Sequence, residues 1–83
     1  MTYATELMEI GSNIRKWRNL RGMKQDVLAS AMEISKVTIS KIECGKSNIS
    51  VNRLFTIAKI LEIKVELLFK DPLTQVRTYY EEI

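Results

Sequence analysis

The chain has 83 residues, of which 46% are hydrophobic and 28% are charged. This composition fits one folded domain with a modest core and excludes a disordered chain. No run approaches about 18 consecutive apolar residues, so we expect no membrane-spanning helix. The first ten residues lack the basic and apolar regions of a secretory signal, and a single cysteine, Cys44, excludes an internal disulfide framework. We therefore expect a cytoplasmic protein.

Positive charge is concentrated in one segment of the chain. The net charge is +3, yet positions 15 to 46 carry eight basic and three acidic residues, against five basic and seven acidic residues elsewhere. Such an imbalance predicts a face that binds a polyanion. On charge alone, a solvated surface with randomly placed charges stays an open alternative.

Helical periodicity dominates the first sixty residues. A first helix ends near Gly22, a second begins at about Gln25, a third spans about 36–44 after an N-cap at Ser35, and Ser50 can cap a fourth. The apolar positions that define the first, second and fourth helices are Leu7, Ile10, Ile14 and Trp17; Val27, Leu28, Ala31 and Met32; and Leu54, Ile57, Ala58 and Leu61. This pattern predicts an all-α fold, a bundle of about five short helices.

Residues 63–70, "IKVELLFK", are compatible with a helix or a strand. Val65, Leu68 and Phe69 suit one face of a short helix, whereas the alternation of apolar and charged residues suits a half-buried strand. Lys64 is a poor helix N-cap, which favours the strand. The following Asp-Pro pair is a typical helix start and predicts a last helix at the C-terminus.

The spacing between the second and third helices is typical of a helix-turn-helix. Ala29 falls where two crossing helices approach closely, Ile34 follows the turn and fills the core beneath it, and Ile39 and Ile42 face inward. A helix-turn-helix needs this order to hold its second helix away from the body of the domain.

The outward face of the third helix carries Lys36, Val37, Ser40 and Lys41. At about 100° per residue these four lie opposite the inward isoleucines. Lysine can donate to guanine O6 and N7, serine can contact a base or a phosphate, and valine can pack on a thymine methyl group. This face therefore predicts contacts with DNA bases.

Residues on both flanks of the third helix suit the DNA backbone. Gln25, at the start of the second helix, offers a side-chain amide beside free backbone N–H groups. Lys46, Ser47 and Asn48 follow the third helix and also supply donors. Taken singly, Gln25 is an ordinary surface residue and Asn48 a turn former, and only their joint placement beside the third helix predicts phosphate contacts.

The segment from Ile10 to Phe69 resembles the phage-repressor and Cro-type family, often called the Xre family, which implies a lambda-repressor-like fold. The most specific matches are "QDVLA" at 25–29, "SKVTISKIE" at 35–43 and "GKSN" at 45–48. The resemblance implies that helix 3 reads the major groove of double-stranded DNA. It also implies an ion pair between Arg18 and Glu43 that orients this helix.

The chain departs from the family pattern at four positions. Glu33 stands in the turn where glycine is usual, and Lys24 stands where a serine or threonine cap is usual. Ile49 replaces a frequent proline and Glu62 a frequent glycine. A positive φ at Glu33 would cost about 1 kcal/mol, which a fold tolerates.

We expect one helix-turn-helix DNA-binding domain over residues 1–83, with 63–83 as the dimerisation segment. It would act as a transcriptional regulator, a repressor, as a homodimer on a palindromic operator. The residues expected to mediate dimerisation are Val65, Leu68, Phe69, Tyr79 and Tyr80. Packing of the tail on its own domain remains an alternative.

Other functions stay open at this stage. An antitoxin-type autorepressor with a toxin partner, or a controller of a restriction–modification operon, could be this short, and a strand at 63–70 would favour the antitoxin. From another class, the domain could be a protein-interaction module. An enzyme is not expected, because the chain has no histidine and Cys44 has no partner base. No cofactor or metal is implied.

Overall fold

A computed structural model describes residues 3–73 of the chain, with side chains from Glu6 onward. Four α-helices are followed by a short 3₁₀ helix: α1 (Tyr3–Leu20), α2 (Gln25–Ala31), α3 (Lys36–Glu43), α4 (Val51–Leu61) and the 3₁₀ helix (Val65–Phe69). The predicted all-α fold is confirmed. Helix α3 ends one residue earlier than predicted, with Cys44 as its C-cap.

Two serines start helices as predicted. The Ser35 hydroxyl accepts a hydrogen bond from the backbone N–H of Thr38, and the Ser50 hydroxyl accepts one from that of Arg53. Each bond satisfies a donor that the first turn of a helix leaves free, which stabilises the helix by about 1 kcal/mol. At Lys24, before α2, no side-chain cap forms, so this departure from the family pattern is real.

The core lies where the four α-helices and the 3₁₀ helix meet. Ten hydrophobic residues form it: Ile14, Leu28, Ala29, Ile39, Ile42, Leu54, Ile57, Ala58, Leu61 and Leu68. In α2 the buried pair is Leu28 and Ala29, while Val27 and Ala31 are exposed. The predicted stripe of α2 was therefore wrong at those two positions, since α3 crosses over the side that holds Ala29.

The turn between α2 and α3 uses a left-handed residue. Glu33 has φ 58°, and the N–H of Ile34 reaches back to the carbonyl oxygen of Ala29 over 3.0 Å. This arrangement closes the end of α2 in the manner of a glycine C-cap. Glu62 has the same φ at the end of α4. Both positions where the family favours glycine are thus strained here.

Within residues 63–70 the segment Val65–Phe69 forms a 3₁₀ helix, and the strand alternative is wrong. The reason is tertiary: the Asn13 amide donates to the carbonyl oxygen of Leu68 over 3.1 Å, and the Trp17 indole donates to that of Leu67 over 2.9 Å. A strand would need those oxygens for a ladder with another strand. They instead fasten the 3₁₀ helix to α1.

The chain begins another helical turn after the 3₁₀ helix. Pro72 and Leu73 are helical, and the Asp71 carboxylate accepts a hydrogen bond from the N–H of Leu73 over 2.9 Å. Asp71 thus acts as the predicted N-cap with proline in the first position. The rest of the predicted C-terminal helix lies outside the described residues.

Candidate nucleic-acid interface

Helix α3 has one buried side and one exposed side. Ile39 is fully buried, whereas Val37 has 62% of its surface exposed. Lys36 and Lys41 are exposed, and Ser40 is half-buried between them. Two ammonium groups, a hydroxyl and a bare apolar side chain therefore share the surface that α3 turns away from the core.

A polar groove of about 670 Å³ borders this surface between α1, the start of α2 and α3. It brings Gln25, Lys36 and Ser40 together, all of which were predicted to contact DNA. Arg15 and Lys24 line the same groove. Both residues belong to the basic segment at 15–46, but they were not predicted as site residues. Nothing in the local sequence indicates that α1 and the start of α2 come this close to α3.

The floor of the groove is a buried ion pair. Arg18 Nε donates to Glu43 Oε2 over 2.7 Å, and Arg18 Nη2 donates to Glu43 Oε1 over 3.1 Å. Arg18 Nη1 also donates to the carbonyl oxygen of Met23 over 2.6 Å, before α2. The guanidinium therefore joins the end of α3 to the α1–α2 turn, so the two segments keep a fixed relative position.

Gln25 belongs to this ion-pair network. Its Nε2 donates to Glu43 Oε1 over 2.9 Å. A side-chain amide nitrogen has two hydrogens, so one remains for a ligand outside the groove. The hydrogen bond to Glu43 was not predicted, and it holds the Gln25 amide at the edge of the α3 surface.

The loop after α3 follows directly from the C-terminal end of that helix. Lys46 and Asn48 are exposed, while Ser47 is half-buried and its hydroxyl donates to the carbonyl oxygen of Asn48 over 3.3 Å. Lys46 is anchored through its backbone N–H, which donates to the carbonyl oxygen of Lys41 over 2.9 Å. The side chain of Lys46 is exposed directly after the end of α3.

Three of the expected dimerisation residues fall within the described part of the chain, and they differ in exposure. Leu68 must be corrected, because its side chain is fully buried in the core and presents nothing to a second copy. Val65 is half-buried against the core, and Phe69 is 55% exposed. Tyr79 and Tyr80 lie outside the described residues.

Two features are absent from residues 3 to 73, the part of the chain that the structure describes. No helix there has the length and apolar character needed to cross a membrane. Within the same range, no three histidine, cysteine, aspartate or glutamate side chains come together as a metal site would require.

Known proteins that resemble this chain share the helix-turn-helix described above. A helix-turn-helix family model, HTH_3, matches residues 14–68. An uncharacterised helix-turn-helix-type transcriptional regulator of Sinorhizobium medicae is 34% identical over 64 residues, which is 77% of this chain and 46% of that protein. The chain thus spans about half the length of this relative.

Solved structures extend the comparison. The restriction-modification controller protein C.AhdI from Aeromonas hydrophila has a TM-score of 0.73 and 25% identity, covering 77% of this chain and 97% of that one. An HTH_3 family transcriptional regulator from Vibrio cholerae has a TM-score of 0.74 and 28% identity, and the match covers 82% of this chain and 38% of that one. The chain belongs to the HTH_3 helix-turn-helix family of transcriptional regulators.

Proposed function

We propose that the protein is a sequence-specific DNA-binding repressor that places α3 in the major groove. The observation that carries the proposal is the exposed side of α3, where Val37 stands bare between Lys36, Ser40 and Lys41. A single exposed valine is ordinary on a protein surface, and it is the setting of Val37 among these donors that suits DNA, where it can pack on a thymine methyl group. The two lysines and the serine supply donors for base edges and nearby phosphates.

Contacts with DNA phosphates would accompany this helix. The free amide hydrogen of Gln25 would donate to a phosphate beside the polar groove, and Lys46, Ser47 and Asn48 would do so in the loop that follows α3. Glu43 supports this assignment because it holds the Gln25 amide in place before DNA arrives. Contacts of this kind fix the register of the protein on the duplex without reading sequence.

The protein would act in the cytoplasm as a homodimer on a palindromic operator. One recognition helix reads only a few base pairs, and two helices about 34 Å apart on one face of DNA multiply specificity. Bound across a promoter, such a dimer blocks transcription, and no enzymatic step is required. Residues 1–83 would serve as a single DNA-binding domain with its dimer contacts in or beside 63–83.

Among physiological roles, control of a restriction–modification operon is the best supported. The match to C.AhdI covers 97% of that protein, so a controller of this class needs little beyond the present fold. The antitoxin-type role, with a toxin partner, has lost its main support, because residues 65–69 form a 3₁₀ helix and not a strand.

The test begins with selection of a preferred site from a random DNA library, followed by fluorescence anisotropy on that site. Replacing Lys36 and Lys41 together by alanine should abolish the preference for the selected site. Lys59→Ala, an exposed lysine on α4, is the matched control and should bind as the wild type does. Circular dichroism confirms that each variant is folded.

Salt dependence and a reporter gene complete the test. If several phosphates are contacted, affinity should fall by orders of magnitude between about 50 and 200 mM salt. Repression of a reporter carrying the selected site should require Lys36 and Lys41. Unchanged repression by the double variant would contradict the proposal and favour a protein-interaction module.

A further inference from the structure

The side of α1 that faces away from α3 bears a groove whose charges are complementary to a copy of itself. The groove, of about 550 Å³, lies between α1 and the segment after the 3₁₀ helix. Glu9 and Lys16 line it, with Ser12 between them. Met8 and Phe69, which are 58% and 55% exposed, supply apolar surface in the same place.

Glu9 and Lys16 are spaced for two-fold pairing. Seven residues along a helix amount to nearly two full turns, so both side chains lie on one face about 10 Å apart. A two-fold axis passing near Ser12 and Asn13, midway between them, would set Glu9 of each copy against Lys16 of the other. Such an isologous contact repeats every pairing twice.

Lys16 can accept this second partner. It already donates to Asp71 over 2.8 Å, and its side chain is 40% exposed. An ammonium group has three hydrogens, so two remain for a carboxylate on another molecule. Asp71 also holds the Lys16 side chain against the groove, which reduces the entropy lost when a second carboxylate binds.

The centre of the groove permits close approach of two helices. Ser12 is small and half-buried, and Asn13 is turned inward, where its amide donates to Leu68. Neither side chain would hold two α1 helices apart. Phe69 of each copy would then lie over Met8 at the edge of the contact, and burial of such apolar surface stabilises a dimer core.

The geometry points to this α1 groove as the dimerisation surface, with a second copy of the chain as its occupant and Glu9 paired with Lys16 across the two-fold axis. The inference rests on the proposed homodimeric DNA-binding function and replaces the buried Leu68 as a contact. It leaves the α3 surface outside the contact, because Gly11 and Arg18, which touch α3, lie about 140–180° around the helix from Glu9 and Lys16. Met8 is the groove residue that approaches the loop after α3, where it packs against Gly45.

The arrangement also gives a separation between the two α3 helices that can be compared with the spacing of two DNA half-sites. The order across the dimer would be α3, α1, α1 and α3, with neighbouring helices about 8–10 Å apart. Three such spacings put the two α3 helices roughly 24–30 Å apart, of the same order as the approximately 34 Å between half-sites one helical turn apart.

Charge reversal tests the pairing directly, with sedimentation of the full chain as the measurement. Glu9→Lys should raise the dimer dissociation constant by roughly tenfold or more, because each copy then sets two lysines against each other. Lys16→Glu should do the same with two glutamates. An equimolar mixture of the two variants should form a heterodimer tighter than the homodimer of either variant, since both intermolecular pairs become complementary.

Two matched controls accompany the charge reversals. Glu66→Lys makes the same charge change on an exposed residue outside the groove and should leave the dimer intact. Phe69→Asp should weaken the dimer, whereas Phe55→Asp, at a similarly exposed phenylalanine on α4, should not. The inference would be overturned if the mixture failed to restore the dimer. It would also be overturned if Phe55→Asp dissociated the dimer and Phe69→Asp did not.

The result is separable from that of the proposed function. A wild-type dimer that Glu9→Lys leaves intact overturns the α1 interface and leaves the homodimer standing. A wild type that is monomeric both free and on its selected DNA site overturns the homodimer and the interface together. Loss of site preference by the Lys36 and Lys41 double variant is measured independently of either outcome.

Discussion

Gln25 and Glu43 are joined by a 2.9 Å hydrogen bond from the glutamine amide to the carboxylate that also pairs with Arg18. The bond links the start of α2 to the end of α3, eighteen positions further along the chain. It makes the glutamine part of the buried network, so its position at the proposed interface is set before any ligand binds.

This relationship predicts different salt behaviour for two phosphate contacts. Lys46→Ala should weaken DNA binding and reduce the slope of log affinity against log salt by about 1, because one counterion-releasing contact is lost. Gln25→Ala should weaken binding with an unchanged slope, since a neutral amide releases no counterion. Anisotropy titrations at several salt concentrations measure both. Equal slope changes in the two variants would contradict these assignments.

The buried pair should be sensitive to the loss of one partner. Glu43→Leu leaves the Arg18 guanidinium buried without its carboxylate and should lower the free energy of unfolding by about 3–5 kcal/mol. The double variant Arg18→Met with Glu43→Leu should recover most of this loss, because no uncompensated charge remains. Urea unfolding measures both. A double variant as unstable as the single one would show that the pair itself stabilises the fold.

Gly11 should tolerate no side chain. A Cβ there would overlap the carbonyl oxygens of Ile42 and Glu43, so Gly11→Ala should force α1 away from α3 and cost about 1–3 kcal/mol of unfolding free energy. Ser30→Ala, at an exposed position of α2, is the control and should change stability by no more than about 0.5 kcal/mol. A stabilising Gly11→Ala would mean that the two helices are less closely packed.

Glycine should relieve the strained turn of the helix-turn-helix. Glu33 has φ 58°, which costs a residue with a side chain roughly 1–2 kcal/mol, so Glu33→Gly should raise the free energy of unfolding by about 0.5–1 kcal/mol. Glu66→Gly, within the 3₁₀ helix at an ordinary φ, should instead lower it. Thermal unfolding of the two variants, compared with the wild type, distinguishes strain from a general effect of glycine.

Acid should break the link between α1 and the segment after the 3₁₀ helix. The hydrogen bond from Lys16 and, next, that from the Leu73 backbone hold the pKa of Asp71 below its ordinary value of 3.8. Because the folded pKa is depressed, the stabilisation is complete above the ordinary pKa and is lost as the pH falls through the folded pKa. An NMR titration measures the pKa, and Lys16→Met should raise it. No rise would show that the backbone bond alone is responsible.

Much of the fold could be predicted because its signals are local. Ser35 and Ser50 cap the helices that they precede, and the three-residue interval between Ile39 and Ile42 correctly indicated which side of α3 is buried. Side chains that satisfy the first N–H groups of a helix lie within a few residues of them. Helical period likewise depends only on neighbouring positions.

The sequence-based predictions were wrong where contacts between residues far apart in the chain determine the local structure. Residues 63–70 alternate as a strand would, yet Asn13 and Trp17, 55 and 50 positions away from their acceptors, take up the carbonyl groups that a strand needs. Leu68 was assigned to a dimer surface from its apolar character, and the same contact with α1 places it in the core. Neither outcome could be inferred from local pattern.

The sequence by itself determined the four α-helices, their order and the polar side of α3, because caps, periodicity and the short turns are encoded in adjacent residues. Only the tertiary structure decided what those helices present together. The crossing of α1 over the end of α3 at Gly11 brings Arg18 to Glu43 and Glu43 to Gln25, and it leaves Glu9 and Lys16 on the opposite side. Surfaces depend on such crossings, since contacts between residues far apart in the chain set the relative positions of the helices.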